Sequence, residues 1–259
     1  MEENNVFVKP KQTRKWYFRL LKFLMKCKYK ESTYVFLGET VENGAVILSN
    51  HEGTDAPMSL EIYLNRPLRM WGASEMNSGL SELYKYQTRI YYHEKKHWNL
   101  HLARLFCLLA SPLTYMFYSG LELISTYHDA RFVKTIRESM RALEDGDNVV
   151  IFPEVSDKGY LAELEAFHGG FAAFAEMSLH KGQDVKVFVS YFRKRDLLYI
   201  VDAPVMYSEL HDKFEGDKDK ISRYLCDRCN ELGKMEFDAE DLAKRREYQQ
   251  ANGVTTNKV

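Results

Sequence analysis

Residues 45–57 read AVILSNHEGTDAP. An apolar run stops abruptly at Asn50-His51, and Asp55 follows within the reach of one turn. A run of this length, rich in β-branched residues and bounded by turn formers, predicts a buried strand. The pattern recurs about a hundred residues later, where Asn148-Val149-Val150-Ile151-Phe152 runs into Pro153-Glu154. Each is a strand ending in polar side chains fit for chemistry, and the intervening chain has to bring the two ends together.

Strands alternate with helical patterns on either side of these two runs. Residues 34–37, 45–48, 67–71, 121–124, 148–152, 185–192 and 197–201 read as strands. Residues 58–64, 82–101, 129–143 and 171–180 read as helices, and the chain beyond Pro204 turns helical before a polar tail near Asn252. Phe132, Ile136, Met140 and Leu143 repeat at helical spacing, and Gly146 supplies the stop. This alternation predicts an α/β fold, a mixed and largely parallel sheet flanked by helices. Glu42-Asn43-Gly44 contains the strongest short hairpin signal, so residues 34–37 and 45–48 are expected to pair.

The chain of 259 residues is 45% hydrophobic and 28% charged, which supports a large core and argues against a disordered chain. Its formal net charge of −1 provides no field for nucleic acid. The charge is uneven, however: residues 9–30 carry nine Lys and Arg and no acid. Residues 11–30 read as a basic amphipathic helix, with Lys11, Lys15, Arg19, Lys22, Lys26 and Lys30 on one arc and Trp16, Tyr17, Leu20, Leu21, Phe23 and Leu24 opposite. That pattern suits an anionic membrane surface. Seventeen uncharged residues separate Arg104 from Glu122, interrupted by Pro112 and Gly120, and are expected to form a buried or half-immersed hairpin rather than a span. The organisation expected is an N-terminal membrane-surface helix (1–33), an α/β core (34–205) and a C-terminal helical extension with a polar tail (206–259).

The four cysteines form no disulfide framework and no secretory signal is apparent, so a reducing cytoplasmic setting is expected. Cys226 and Cys229 read as two thiols on a helix. His93-Glu94-Lys95-Lys96-His97 satisfies the HExxH zinc pattern, but two lysines inside it suit a solvated helix better than a buried metal helix, and no metal is expected.

In open α/β sheets, ligands bind beyond the carboxyl ends of strands. His51 sits there and is the natural base near neutral pH, and Asp55 can orient it. Gly169-Gly170 before a helix would let backbone N–H groups approach an anionic headgroup or an oxyanion.

VILSNHEGTDAP and NVVIFPEVSDKGYLAELEAFHGG together resemble the glycerophospholipid acyltransferase family, which contains the lysophosphatidic acid acyltransferases. Asn50, His51 and Asp55 match its first motif. Phe152, Pro153, Glu154, Ser156, Gly159 and Gly169 match its third. The resemblance covers roughly residues 34–205. It departs from the family pattern in five ways: His51 and Asp55 are one residue closer, Gly53 stands for Ser, Val155 and Asp157 replace Gly and Arg, the second motif's Arg falls near Thr126, and VKVFVSYF keeps the strand of the fourth motif without its prolines. What the resemblance implies is transfer of a fatty acyl group from an acyl thioester donor, acyl-CoA or acyl-carrier protein, to the hydroxyl of a lyso-lipid acceptor. His51 and Asp55 would be catalytic, while Asn50, Gly53, Pro153, Glu154, Ser156, Gly169 and Gly170 would bind substrate. No further cofactor is implied. The enzyme would work at the cytoplasmic face of a membrane as a peripheral or monotopic protein. A catalytically weak lipid-binding relative and an HExxH zinc hydrolase are the competing readings.

Overall fold

A computed structural model describes residues 15–155 and 161–255. The strands are β1 (Thr33–Phe36), β2 (Val46–Ser49), β3 (Leu68–Ala73), β4 (Ile124–Thr126), β5 (Asn148–Ile151), β6 (Lys186–Arg193), β7 (Leu198–Val201) and β8 (Val205–Met206). They form one sheet in the order β1-β7-β6-β2-β5-β3-β4, with β8 on β6. β2, β3, β4, β5 and β6 run parallel, while β7 and β8 are antiparallel to β6. The chain is therefore an α/β protein with a mixed, mostly parallel sheet.

The expected hairpin does not form. β1 pairs in parallel with β7 at the sheet edge, whereas β2 lies between β5 and β6. Gly44 does adopt the left-handed conformation, φ 77°, that an Asn-Gly turn requires. The turn reverses nothing, because β2 recovers more by burial between two strands than by pairing with β1 at an edge.

Alternation along the central strands sorts the core into two layers. Val46, Leu48, Val149, Ile151, Val187 and Val189 face one side, where α6 (Phe132–Glu144), α7 (Gly170–His180) and α9 (Lys218–Lys234) cover them. Ile47, Val150, Phe188 and Phe192 face the other, under α2 (Asp55–Tyr63). Every residue of β2 and β5 is buried, which fits strands covered on both faces and explains their continuous apolar sequence. Ile136, Met140 and Leu143 of α6 lie in this core, at the spacing read from sequence. So do Cys226 and Cys229 of α9, both free thiols. A buried asparagine ties the strand beginnings together. Asn148 accepts from the Ala45 N–H at 2.9 Å and donates to the Pro67 carbonyl at 3.1 Å.

Two other expectations change. The helix expected over 82–101 is broken into α4 (Leu80–Lys85), a π-helical segment (Tyr86–Lys95) and a turn. His97 stands outside the helix with φ 56°, so His93 and His97 do not share the single helix face that the zinc pattern needs. The uncharged run forms no hairpin. It is one helix, α5 (Leu100–Leu121), with Pro112 inside it. Proline removes one intrahelical hydrogen bond without ending the helix, because neighbouring elements hold both flanks.

α1 spans Trp16–Lys28, with Lys15 at its N-cap, and residues 11–14 of the expected helix lie outside the described residues. Phe18 is its buried residue, packed against Phe117 and over Gly120 of α5. Its apolar side, with Trp16, Leu20, Phe23 and Leu24, faces outward. Lys22 turns inward to the buried Glu61 at 3.4 Å.

A Cβ added at Gly120 would lie 2.3 Å from the Phe18 ring. Gly120→Ala is therefore expected to lose about 1–3 kcal/mol in urea unfolding and to expose α1 to limited proteolysis. Unchanged stability and protection would show that α1 is not held there.

Candidate active site

Three neighbouring parallel strands end on the same edge of the sheet. β2 runs into Asn50 and His51, β5 into Phe152, Pro153 and Glu154, and β6 ends at Arg193, followed by Lys194. The sequence rule applied to the first two strands also holds for the third, and Lys194 is the site residue that sequence reasoning missed. Its signal was the abrupt change from VFVSYF to RKRD at the end of β6.

Asn50 is buried and spends its side chain on β6. Its Nδ2 donates to the Phe192 carbonyl at 3.0 Å, and its Oδ1 accepts from the Phe192 N–H at 2.6 Å. The amide thus extends the pairing of β2 and β6 one residue beyond the ladder. Asn50 thereby fixes the backbone immediately before His51.

After His51 the chain turns sharply. Glu52 and Gly53 both take positive φ, 43° and 69°. Gly53 bears this at no steric cost, and nothing lies within 4 Å of where its Cβ would be. The shortened spacing from His51 to Asp55 is accommodated by this left-handed pair. The conformation at Gly53 is one that glycine adopts freely. Asp55 then opens α2, where an acid in the first turn is favoured by the helix dipole.

The structure does not pair Asp55 with His51. The Asp55 carboxylate meets Lys194 at 2.6 Å, and this contact raises the Lys194 pKa. Next to His51 stand instead the Phe152 ring, 4.9 Å away between centroids, and Glu154. Pro153 and Glu154 are held by a short antiparallel pairing with the chain before α7. Glu154 bridges Phe167, the Val155 N–H donates to the Ala166 carbonyl at 3.0 Å, and the His168 N–H donates to the Pro153 carbonyl at 2.6 Å.

Glu154 is 7% exposed, and neither carboxylate oxygen makes a hydrogen bond of ordinary geometry to the described residues. Burial pushes its pKa up to about 7, the backbone N–H of His51 pulls it back, and the charge of Glu52 adds to the rise. A buried carboxyl on a strand end beside a histidine makes Glu154 a candidate functional group.

The same pairing brings the start of α7 to this edge. Gly169 and Gly170 lead into the helix with unstrained φ at Gly169, −70°. A Cβ at Gly170 would come within 3.3 Å of Phe132 and 3.6 Å of Trp71, so the helix start packs closely on those rings. Space around Gly169 is open. Ser156 and Gly159 lie outside the described residues. Among the described residues no group of three His, Cys, Asp or Glu side chains could hold a metal ion.

A scan against protein-family models and a search of curated proteins both find no match for the chain.

The folded protein retains a proton on Glu154 that the unfolded chain releases between the ordinary carboxyl value of 4.5 and about 7. Stability is therefore lost as pH rises through that window. Glu154→Gln, which never ionises, is expected to melt higher than the unsubstituted protein above pH 7, with the difference shrinking towards pH 4.5. A pH-independent difference in thermal melts would contradict the buried carboxyl.

Proposed function

We propose that the protein is an acyltransferase that moves a fatty acyl group from an acyl thioester, acyl-CoA or acyl-carrier protein, to a hydroxyl of a lysophospholipid-like acceptor at a membrane surface. One observation carries the reading. The ends of three adjacent parallel strands gather a histidine, a carboxyl titrating near 7 and a cation at one edge of the sheet. The resemblance of the first two strand ends to acyltransferase motifs supports it.

His51 is the base. It takes the proton of the acceptor hydroxyl as that oxygen attacks the thioester carbonyl. The carbon–oxygen bond forms, the tetrahedral intermediate collapses, and the carbon–sulfur bond breaks. The departing thiolate takes the proton back from the imidazolium, so no net proton is gained or lost. Glu154 adjoins this proton path. Protonated, it donates to an oxygen of the bound acceptor; ionised, it accepts from one. Lys194 supplies the cation that a phosphate on either substrate requires, in place of the arginines the motifs lack. A phosphate arriving there competes with Asp55 for Lys194. The carboxylate so released lies four residues along the chain from His51 and can turn to orient it, as in other His-carboxylate pairs.

The Asp55–Lys194 ion pair also favours a second reading, a lipid-binding relative without turnover. A relative of that kind would keep Asp55 on Lys194 whether or not a phosphate is bound.

Radiolabelled acyl-CoA and acyl-carrier protein, offered with a panel of lyso-lipids, separate the two. Transfer is expected, with His51→Ala lowering kcat by about 10²–10⁴. Lys194→Ala is expected to raise KM for phosphate-bearing substrates more than it lowers kcat. Full turnover in the His51→Ala protein would refute the mechanism. Binding of lyso-lipid with no transfer to any acceptor would establish the second reading.

A further inference from the structure

We infer that the outward faces of α5 and α1 form one apolar surface that enters the outer few ångströms of an anionic bilayer leaflet without crossing it. Leu102, Leu105, Phe106, Leu109, Leu113 and Met116 are all exposed, Leu109 by 78%. At 100° per residue they fall in a stripe roughly 100° wide, the width with which an amphipathic helix normally meets a core. Here that stripe points away from the protein. The inner face is made by Ala103, Cys107 and Ser111, which are buried, and Ser111 donates to Gln87 of the π-helical segment at 2.7 Å. Only 17% of the most apolar window of α5 is buried, so it is not the core helix of a soluble fold.

The stripe does not end at solvent. Its next position towards the C-terminus is Gly120, and there α1 crosses it with Phe18 over the glycine and the Tyr17 hydroxyl 2.8 Å from that of Ser119. α1 then carries the surface onward, because Trp16, Leu20, Phe23 and Leu24 lie on the side opposite Phe18 and are exposed, Trp16 by 75%. Exposed apolar patches of this extent on a monomer mark an interaction site.

Two features name a bilayer as the occupant. First, the apolar stripe of α1 is flanked by cations, Arg19 and Lys26 on one side and Lys28 on the other, with no acid in the helix. That arrangement complements anionic headgroups. Second, aromatic rings stand at the border. Trp98 packs on Tyr92 at 4.8 Å and on Phe106 at 5.5 Å just before α5 begins, and indole and phenol rings favour the membrane–water boundary. The surface also leads to the candidate site. The Tyr29 hydroxyl, just after α1, donates to Thr54 Oγ1 at 3.2 Å, in the turn between His51 and Asp55. Docking therefore sets that turn beside the lipid from which an acceptor would come. This last consequence rests on the acyltransferase reading, whereas the docking surface does not.

The test uses the full chain with vesicles of phosphatidylcholine alone or mixed with phosphatidylglycerol. Binding is expected to anionic vesicles, stronger at low salt. Lipids brominated in the upper acyl chain are expected to quench Trp16 and Trp98 but not Trp71, which is enclosed by Phe132 and Phe174. Leu105→Glu with Leu109→Glu, at exposed positions, is expected to reduce vesicle affinity at least about tenfold per residue. Melting temperature and transfer to a water-soluble, short-chain acceptor should stay unchanged. Absence of binding to anionic vesicles would overturn the inference. A dimer in solution that the double variant dissociates, with no vesicle binding, would assign the face to a second copy instead. Vesicle binding without acyl transfer would leave the docking surface standing and remove the acyltransferase reading alone.

Discussion

β2, β5 and β6 are covered on both faces, and that constraint governs the rest of the molecule. A strand buried on two sides has no place for an ionised group along its length, because an unpaired charge there carries a large desolvation cost. Polar residues are displaced to the strand ends. Where three such strands run parallel and adjacent, their ends converge and chemistry collects on one edge. His51, Glu154 and Lys194 are on that edge for this reason. Asn148 at one end and Asn50 at the other are buried all the same, and both use their amides to satisfy backbone groups of an adjacent strand or its approach.

The electrostatics of the edge follow from depth. Glu154 sits deep enough that burial dominates its titration, even with the His51 N–H beside it. Asp55 sits farther out, at the start of α2, where Lys194 from the β6–β7 turn can reach it. Two carboxylates at the strand edge that carries His51, those of Glu154 and Asp55, are thus set apart by environment, one with its pKa raised by burial and one paired with a cation. The left-handed turn at Glu52 and Gly53 allows both to exist with so short a connection.

The outer helices obey the opposite constraint. α5 is bracketed by charges but has none within its last seventeen residues, and among the described residues its stripe is exposed over most of its length. Pro112 and Gly120 read as breaks in the sequence and act otherwise in the fold. Pro112 is exposed and costs the helix a single bond, while Gly120 is the flat place on which Phe18 of α1 rests.

The sequence by itself determined much that is local. Runs such as VILS and NVVI specify strands because β-branched apolar residues without polar interruption can only be buried, and the strand ends named His51 and Glu154. The 3.6-residue period of α6 showed its inner face directly. Tertiary structure decided what depends on partners distant in the chain. It sent β1 to β7 despite a good hairpin turn, because edge and centre differ in buried area and not in local propensity. It turned the apolar side of α1 outward, because α5 seats Phe18 and Tyr17 on the opposite side of that helix. Above all it gave Asp55 to Lys194, 139 residues away, when the nearest candidate in sequence was His51. A charge pairs with whatever opposite charge the fold brings within a few ångströms, and no spacing along the chain encodes that distance.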